Sequence, residues 1–209
     1  MSMSNFLHIP SALLITGLLL LGGCTGNQST KDTATTEEHA TDSDLPAAKQ
    51  VQVAYQAPDA FKAQLSKVVD AYLATKDALV ATDAGQADQK TADLIAALGQ
   101  VDASSLPADA GEKWTEHRKI MERAATSMRA AQNVEAKRTS FEDLSKAAYA
   151  LVNDFGANTT LYKEYCPMAF NDKGAFWLSA KSEIKNPYFG DKMLECGEVQ
   201  EVLTFGEGK

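Results

Sequence analysis

Residues 58–81 read PDAFKAQLSKVVDAYLATKDALVA. Phe61, Leu65, Val68, Tyr72 and Leu79 recur at spacings of three, four or seven, so a helix here gathers them on one stripe. Pro58 and Asp59 suit a helix start, since a first turn needs no amide from proline and favours an acidic side chain. Asp83-Ala84-Gly85 then breaks the pattern.

Three further runs follow downstream. About 86–101 aligns Ala87, Thr91, Leu94, Leu98 and Val101, and Ser104-Ser105-Leu106-Pro107 marks a turn. About 111–134 aligns Trp114, His117, Met121, Ala124, Met128 and Ala131. Methionine and aromatic residues at that spacing are core material. His117 stands alone among them and reads as a partly buried or surface histidine, not a ligand. The fourth run opens at Thr139-Ser140-Phe141-Glu142, which fits a Thr-x-x-Glu capping box. Phe141, Leu144, Ala148, Leu151 and Phe155 form its stripe, and Gly156 can stop it. Four helices on short connections favour an up-down-up-down bundle. The expected fold is mainly α: a four-helix bundle over 57–156, followed within the same domain (57–205) by a small Cys/Met-bearing segment with short strands, 157–205.

In that last segment alanine falls and Pro, Gly and aromatic residues rise. GAFWLS (174–179) and EVQEVLTF (198–205) are candidate strands, and Asn186-Pro187-Tyr188-Phe189-Gly190 is a turn. Asp191 can cap a single helical turn over 192–196, stopped by Gly197. Four soft sulfurs sit here: Cys166, Met168, Met193 and Cys196. A helical turn would put Met193 and Cys196 on one face. Pro167 pushes Cys166 towards an extended conformation. Thiolate and thioether donors select Cu(I) or Ag(I) over hard cations. The competing reading is a Cys166–Cys196 disulfide with the two methionines as filler. Closing a loop of about 30 residues would stabilise the fold by roughly 3–4 kcal/mol in the chain-entropy model. An oxidised pair supplies no thiolates, so the two readings exclude each other.

Upstream, the first 23 residues hold no Asp, Glu, Lys or Arg, and Ser11–Leu21 is an apolar run too short to span a bilayer. That pattern reads as an export signal, 1–23. Leu21-Gly22-Gly23-Cys24 resembles the bacterial lipobox, with Cys24 as the lipidated first mature residue; the n-region departs from the pattern in carrying no basic residue. Residues 24–56, rich in Thr, Ser, Asp and Glu, read as a disordered tether. The chain carries a formal charge of −8 and has no basic stripe, which argues against nucleic acid as a partner. With Cys24 lipidated, Cys166 and Cys196 remain as an even pair in an exported protein, where disulfides are the rule.

The segments YLATKDALVATDAGQAD, RTSFEDLS, YCPMAF, WLS, EIKNPYFGDKML and CGEV, spread over about 54–205, carry a resemblance. They resemble an uncharacterised family of bacterial domains of unknown function, DUF3347. Its members are exported proteins of Gram-negative bacteria, and related domains are attached to periplasmic adaptors of CusB-type copper and silver efflux pumps. The resemblance implies heavy-metal handling but supplies no assigned ligands. The expectation is a lipid-anchored periplasmic protein that binds or hands over Cu(I) or Ag(I), accessory to efflux or homeostasis and with no catalytic role. The alternative is a disulfide-stapled helical module that docks on an efflux-pump or other envelope protein. An enzyme is not expected: the cysteines lack C-x-x-C spacing, and no histidine follows His117.

Overall fold

The computed structural model describes residues 45–206. Four helices make up most of it: α1 (Asp59–Val80), α2 (Ala84–Gln100), α3 (Ala108–Ala130) and α4 (Val134–Phe155). Each packs along the next, joined by 81–83, 101–107 and 131–133. The fold is mainly α, as the four stripes require, with a small four-stranded sheet at its C-terminal side. Among the described residues, no helix is long and apolar enough to cross a membrane.

The stripes bury as expected. Phe61, Leu65, Val68, Tyr72 and Leu79 are all 2% exposed or less, and so are Phe141, Leu144 and Leu151 on α4. Ala131, placed on the third stripe, lies beyond α3 and is only half-buried. Two aromatic clusters sit along the core. Phe61 meets Trp114 edge-on at 5.5 Å and Phe155 at 5.3 Å. Tyr72 stacks on Phe141 at 5.5 Å, and Tyr188 packs on Phe141 and Trp177.

The fourth helix starts earlier than the capping box implies. Asn133 is the N-cap, its side chain accepting from the Ala136 amide at 2.9 Å, and Thr139 sits inside the helix, donating to the Glu135 carbonyl. The third helix correspondingly ends at Ala130. An Asn cap satisfies an orphan amide as well as Thr does, and the intervening residues VEAKR are good helix formers on the whole, so the helix extends to the first available cap.

The sheet runs β1 (Ala48–Val51), β4 (Glu198–Phe205), β2 (Leu161–Cys166), β3 (Ala175–Ser179) in spatial order. β1 lies parallel to β4, and β2 pairs antiparallel with both β4 and β3. Both expected strands are present. β1 falls in the stretch expected to be tether: pairing with β4 satisfies its backbone, and burial of Val51 at 6% exposed anchors it. The remainder of that stretch up to residue 44, the export signal and Cys24 lie outside the described residues. Tyr72 joins the layers: its hydroxyl hydrogen-bonds Ser145 on α4 at 2.9 Å and accepts from the Leu178 amide on β3 at 3.1 Å.

Candidate functional site

The sulfur-bearing segment is folded around Asn186, which is fully buried. Its side-chain carbonyl accepts from the Tyr188 amide at 2.8 Å, an Asx-type turn that Pro187 reinforces by presetting its own φ. Its side-chain NH2 donates to the Cys196 carbonyl at 2.7 Å, and its backbone amide to the Leu194 carbonyl at 2.8 Å. Tyr188 then donates its hydroxyl to the Phe176 carbonyl on β3 at 2.7 Å. Asn-Pro-Tyr-Phe-Gly is therefore a clamp that carries residues 194–196 back to the sheet. Gly197 lets it close: a Cβ there would come within 2.9 Å of the Tyr165 carbonyl and 3.1 Å of the Trp177 ring.

The clamp delivers Cys196 to Cys166. Their sulfurs lie 2.9 Å apart, both as thiols. Cys166, the last residue of β2, is fully buried; Cys196 is half-buried. Burial, then hydrogen bonding and charge interaction with Cys166, pushes the Cys196 thiol up to about 11. Catalytic thiols are activated in the opposite sense, by neighbours that favour the thiolate.

The methionines are placed differently. Met168 is 46% exposed. Met193 is half-buried, and the helical turn meant to align it with Cys196 does not form. A 3-10 turn occupies Gly190–Lys192 instead, and 193–196 is a turn closed by the Cys196 amide on the Met193 carbonyl at 3.2 Å. The cause is that Gly190 sits at φ +58 against α1, which starts the turn early. Among the described residues, no group of three or more His, Cys, Asp or Glu side chains could hold a metal ion. By donor chemistry the two cysteines suit a soft ion. By spacing they suit a direct sulfur–sulfur link better, because an ion between two thiolates at about 2.3 Å each would spread the sulfurs towards ~4–5 Å.

Three buried ionisable side chains near this segment escaped sequence reasoning. Arg138 donates through Nε to the Pro187 carbonyl at 2.9 Å and through a terminal nitrogen to the Leu79 carbonyl and the Thr82 hydroxyl, both at 3.1 Å. It thus caps the end of α1 and fixes the clamp in one stroke. Lys137 does the same for α3, donating to the Met128 and Ala131 carbonyls and to Asp88. Glu164 is fully buried on β2, and neither carboxyl oxygen has a hydrogen-bond partner of good geometry, although Trp177 and Ser179 lie close enough to favour its charged form. Burial dominates and raises it to about 8. The signal for the two basic residues was the helical spacing itself, since Lys137 and Arg138 precede Phe141 by four and three positions. A β-bulge between Lys163 and Glu164 turns Glu164 inward, and nothing in the strand's residue types announces that.

His117 is 5% exposed, and its Nε2 lies 2.6 Å from an Asp154 carboxyl oxygen. The pair ties α3 to the end of α4, where Tyr55 also donates its amide to the Asp154 carbonyl. It lies in a shallow groove of about 750 Å³ on the outer α3–α4 face, bordered by Lys113, Ile120, Asp143 and Lys146.

No curated protein and no solved structure matches the chain. A family model does, over α4, α2, α3 and most of α1, and its match ends ahead of β2, so the two cysteines lie outside it. Over residues 68–160 the chain thus matches the family described as "Protein of unknown function (DUF3347)", and its resemblance to that family stands on the bundle.

Proposed function

We propose that the chain is a non-catalytic interaction module of the cell envelope, lipid-anchored through Cys24, whose C-terminal segment is stapled by a Cys166–Cys196 disulfide. The observation that carries it is the 2.9 Å approach of two sulfurs, one fully buried, delivered by a dedicated clamp. Closing the pair removes two protons and two electrons, and an exported protein meets the oxidant for that in its compartment. The lipobox supports the anchor, and the open α3–α4 face offers room for a protein partner.

A second reading keeps the soft ion as cargo. It is favoured by Met168, whose thioether is exposed two residues from Cys166. Here Cys166 and Cys196 are the donors to Cu(I) or Ag(I), with Met168 and Met193 on the rim, and the protein serves heavy-metal efflux. Protein isolated from the periplasm separates the two. Mass analysis with and without reduction, after alkylation, should show Cys166 linked to Cys196 and no stoichiometric copper or silver. Two alkylatable thiols, together with about one equivalent of bound Cu(I) after anaerobic loading, would overturn the staple and establish the ion. In that case Met168→Leu and Met193→Leu should weaken binding with little effect on the fold.

A further inference from the structure

We propose that the Cys166–Cys196 staple is a thiol–disulfide exchange site entered only through Cys196, with Cys166 as the sulfur that leaves on opening and returns on closing. The inference rests on the stapled reading above and adds to it a direction of attack and a class of reactant. Its basis is an asymmetry of access. Cys166 ends a strand hydrogen-bonded on both sides and is fully buried under the core, whereas Cys196 ends the surface turn 193–196 and is half-buried. An exchange partner must approach along the sulfur–sulfur axis from outside the sulfur it attacks. Only the Cys196 side offers that approach.

The reaction balances without a further oxidant. A small thiolate bonds to Cys196 Sγ, the Cys166–Cys196 bond breaks, and Cys166 leaves as a thiolate that takes up a proton. The product is a mixed disulfide on Cys196 and a thiol at Cys166. Closing reverses each step: Cys166 attacks Cys196 Sγ and the small thiol departs. The surface nearby selects the reactant. Glu195 and Glu198 are exposed beside the pair, and Lys185, which reaches Glu183 at 2.9 Å and Glu195 at 3.9 Å, is the nearby cation in ion-pair contact with this rim. Acidic surroundings favour cationic aminothiols over anionic ones such as glutathione, and less so at high salt.

The probe is cysteamine, applied to the stapled full chain under native conditions. Samples are quenched in acid and mapped by peptide mass, which also separates any signal from Cys24. Early in the reaction the cysteamine adduct should lie on Cys196 with Cys166 as free thiol, and cysteamine should react several-fold faster than glutathione at low salt. The two variants that keep one cysteine of the pair give an independent check with cystamine: Cys166→Ser should form its adduct at Cys196 at least tenfold faster than Cys196→Ser forms one at Cys166. An adduct on Cys166, or equal division between the sulfurs, overturns the direction of attack. A staple that resists cysteamine in the native protein but opens once unfolded overturns exchange altogether, while leaving the staple intact. Free thiols in the protein as isolated would instead defeat the stapled reading, a separate result.

Discussion

Arg138, on the fourth helix, holds the carbonyl of Pro187, forty-odd residues later in the chain, at 2.9 Å from its Nε. The same guanidinium caps the last turn of α1 through the Leu79 carbonyl. One fully charged, nearly buried side chain therefore couples three separate segments. Arg138→Met should remove about 2–4 kcal/mol of stability, because it takes the guanidinium donor from the Pro187 carbonyl and leaves the Leu79 carbonyl with the Thr82 amide alone. Arg138→Lys should recover only part of it, since an ammonium cannot present the forked donors that reach both carbonyls. Urea unfolding monitored by circular dichroism measures both.

Gly190 and Gly99 should respond oppositely to alanine. Gly190 sits at φ +58 with Thr82 Oγ1 and the Arg138 guanidinium where a Cβ would go, so Gly190→Ala should cost about 1–3 kcal/mol. Gly99 lies inside α2 with open space around its Cα, so Gly99→Ala should add up to about 1 kcal/mol. Thermal melts of the two variants against wild type decide it, and shifts of the same sign would contradict the local geometry.

Leu144 is fully buried between α4 and the rest of the core. Leu144→Ala should cost about 2–5 kcal/mol, the range for truncating core leucines. Lys119, exposed on α3, should tolerate alanine within about 0.5 kcal/mol. Equal midpoints in denaturant for these two variants would mean that the helical stripes are misassigned.

Two carboxyls give stability a pH dependence with opposite signs. Glu164 is raised by burial from 4.5 to about 8, so the folded protein holds a proton that the unfolded chain releases. Its contribution is fully present below 4.5 and is lost as pH rises through 8, at up to about 1.4 kcal/mol per pH unit. Burial raises Glu201 too, but hydrogen bonds from Lys163, Lys49 and Tyr149 outweigh it and hold the carboxyl at about 2. Its contribution is present above 4.5 and is lost as pH falls through 2. Glu164→Gln should flatten the decline between pH 5 and 8 while leaving the acid limb in place. Denaturation midpoints at half-unit pH intervals test this, and an unchanged alkaline decline in the variant would assign the slope elsewhere.

What the sequence made legible was whatever repeats. Phe61 to Leu79 and Phe141 to Phe155 announce their helices because a buried face must recur with the helical period. The strands 175–179 and 198–205 were legible for a similar reason, through aromatic and β-branched residues. The places that eluded it depend on distant partners. Ala48–Val51 is ordered by β4, more than 140 residues away, and its own composition is that of a linker. Thr139 matched a local capping signal that a better-placed Asn133 pre-empted. Lys137 and Arg138 are polar by type and core by position, because the carbonyls at two helix ends need donors. At the site, the residue types left two readings open, a four-sulfur ion site and a Cys166–Cys196 disulfide. Asn186 brings the cysteines together by holding the Cys196 carbonyl, a hydrogen bond across ten residues that spacing does not announce.

β1 also has a mechanical consequence. It is an edge strand that enters the domain ahead of α1, with its residues paired in parallel to the final strand, Ala48 opposite Val202 and Val51 opposite Phe205. Any load transmitted from the residues before Ala48 reaches the fold through this strand first. A pull along its axis shears its backbone pairs together with the Lys49–Glu201 contact at 2.9 Å, whereas a pull across the sheet peels them one at a time. In either direction the short edge strand is the first hydrogen-bonded element that such a load meets.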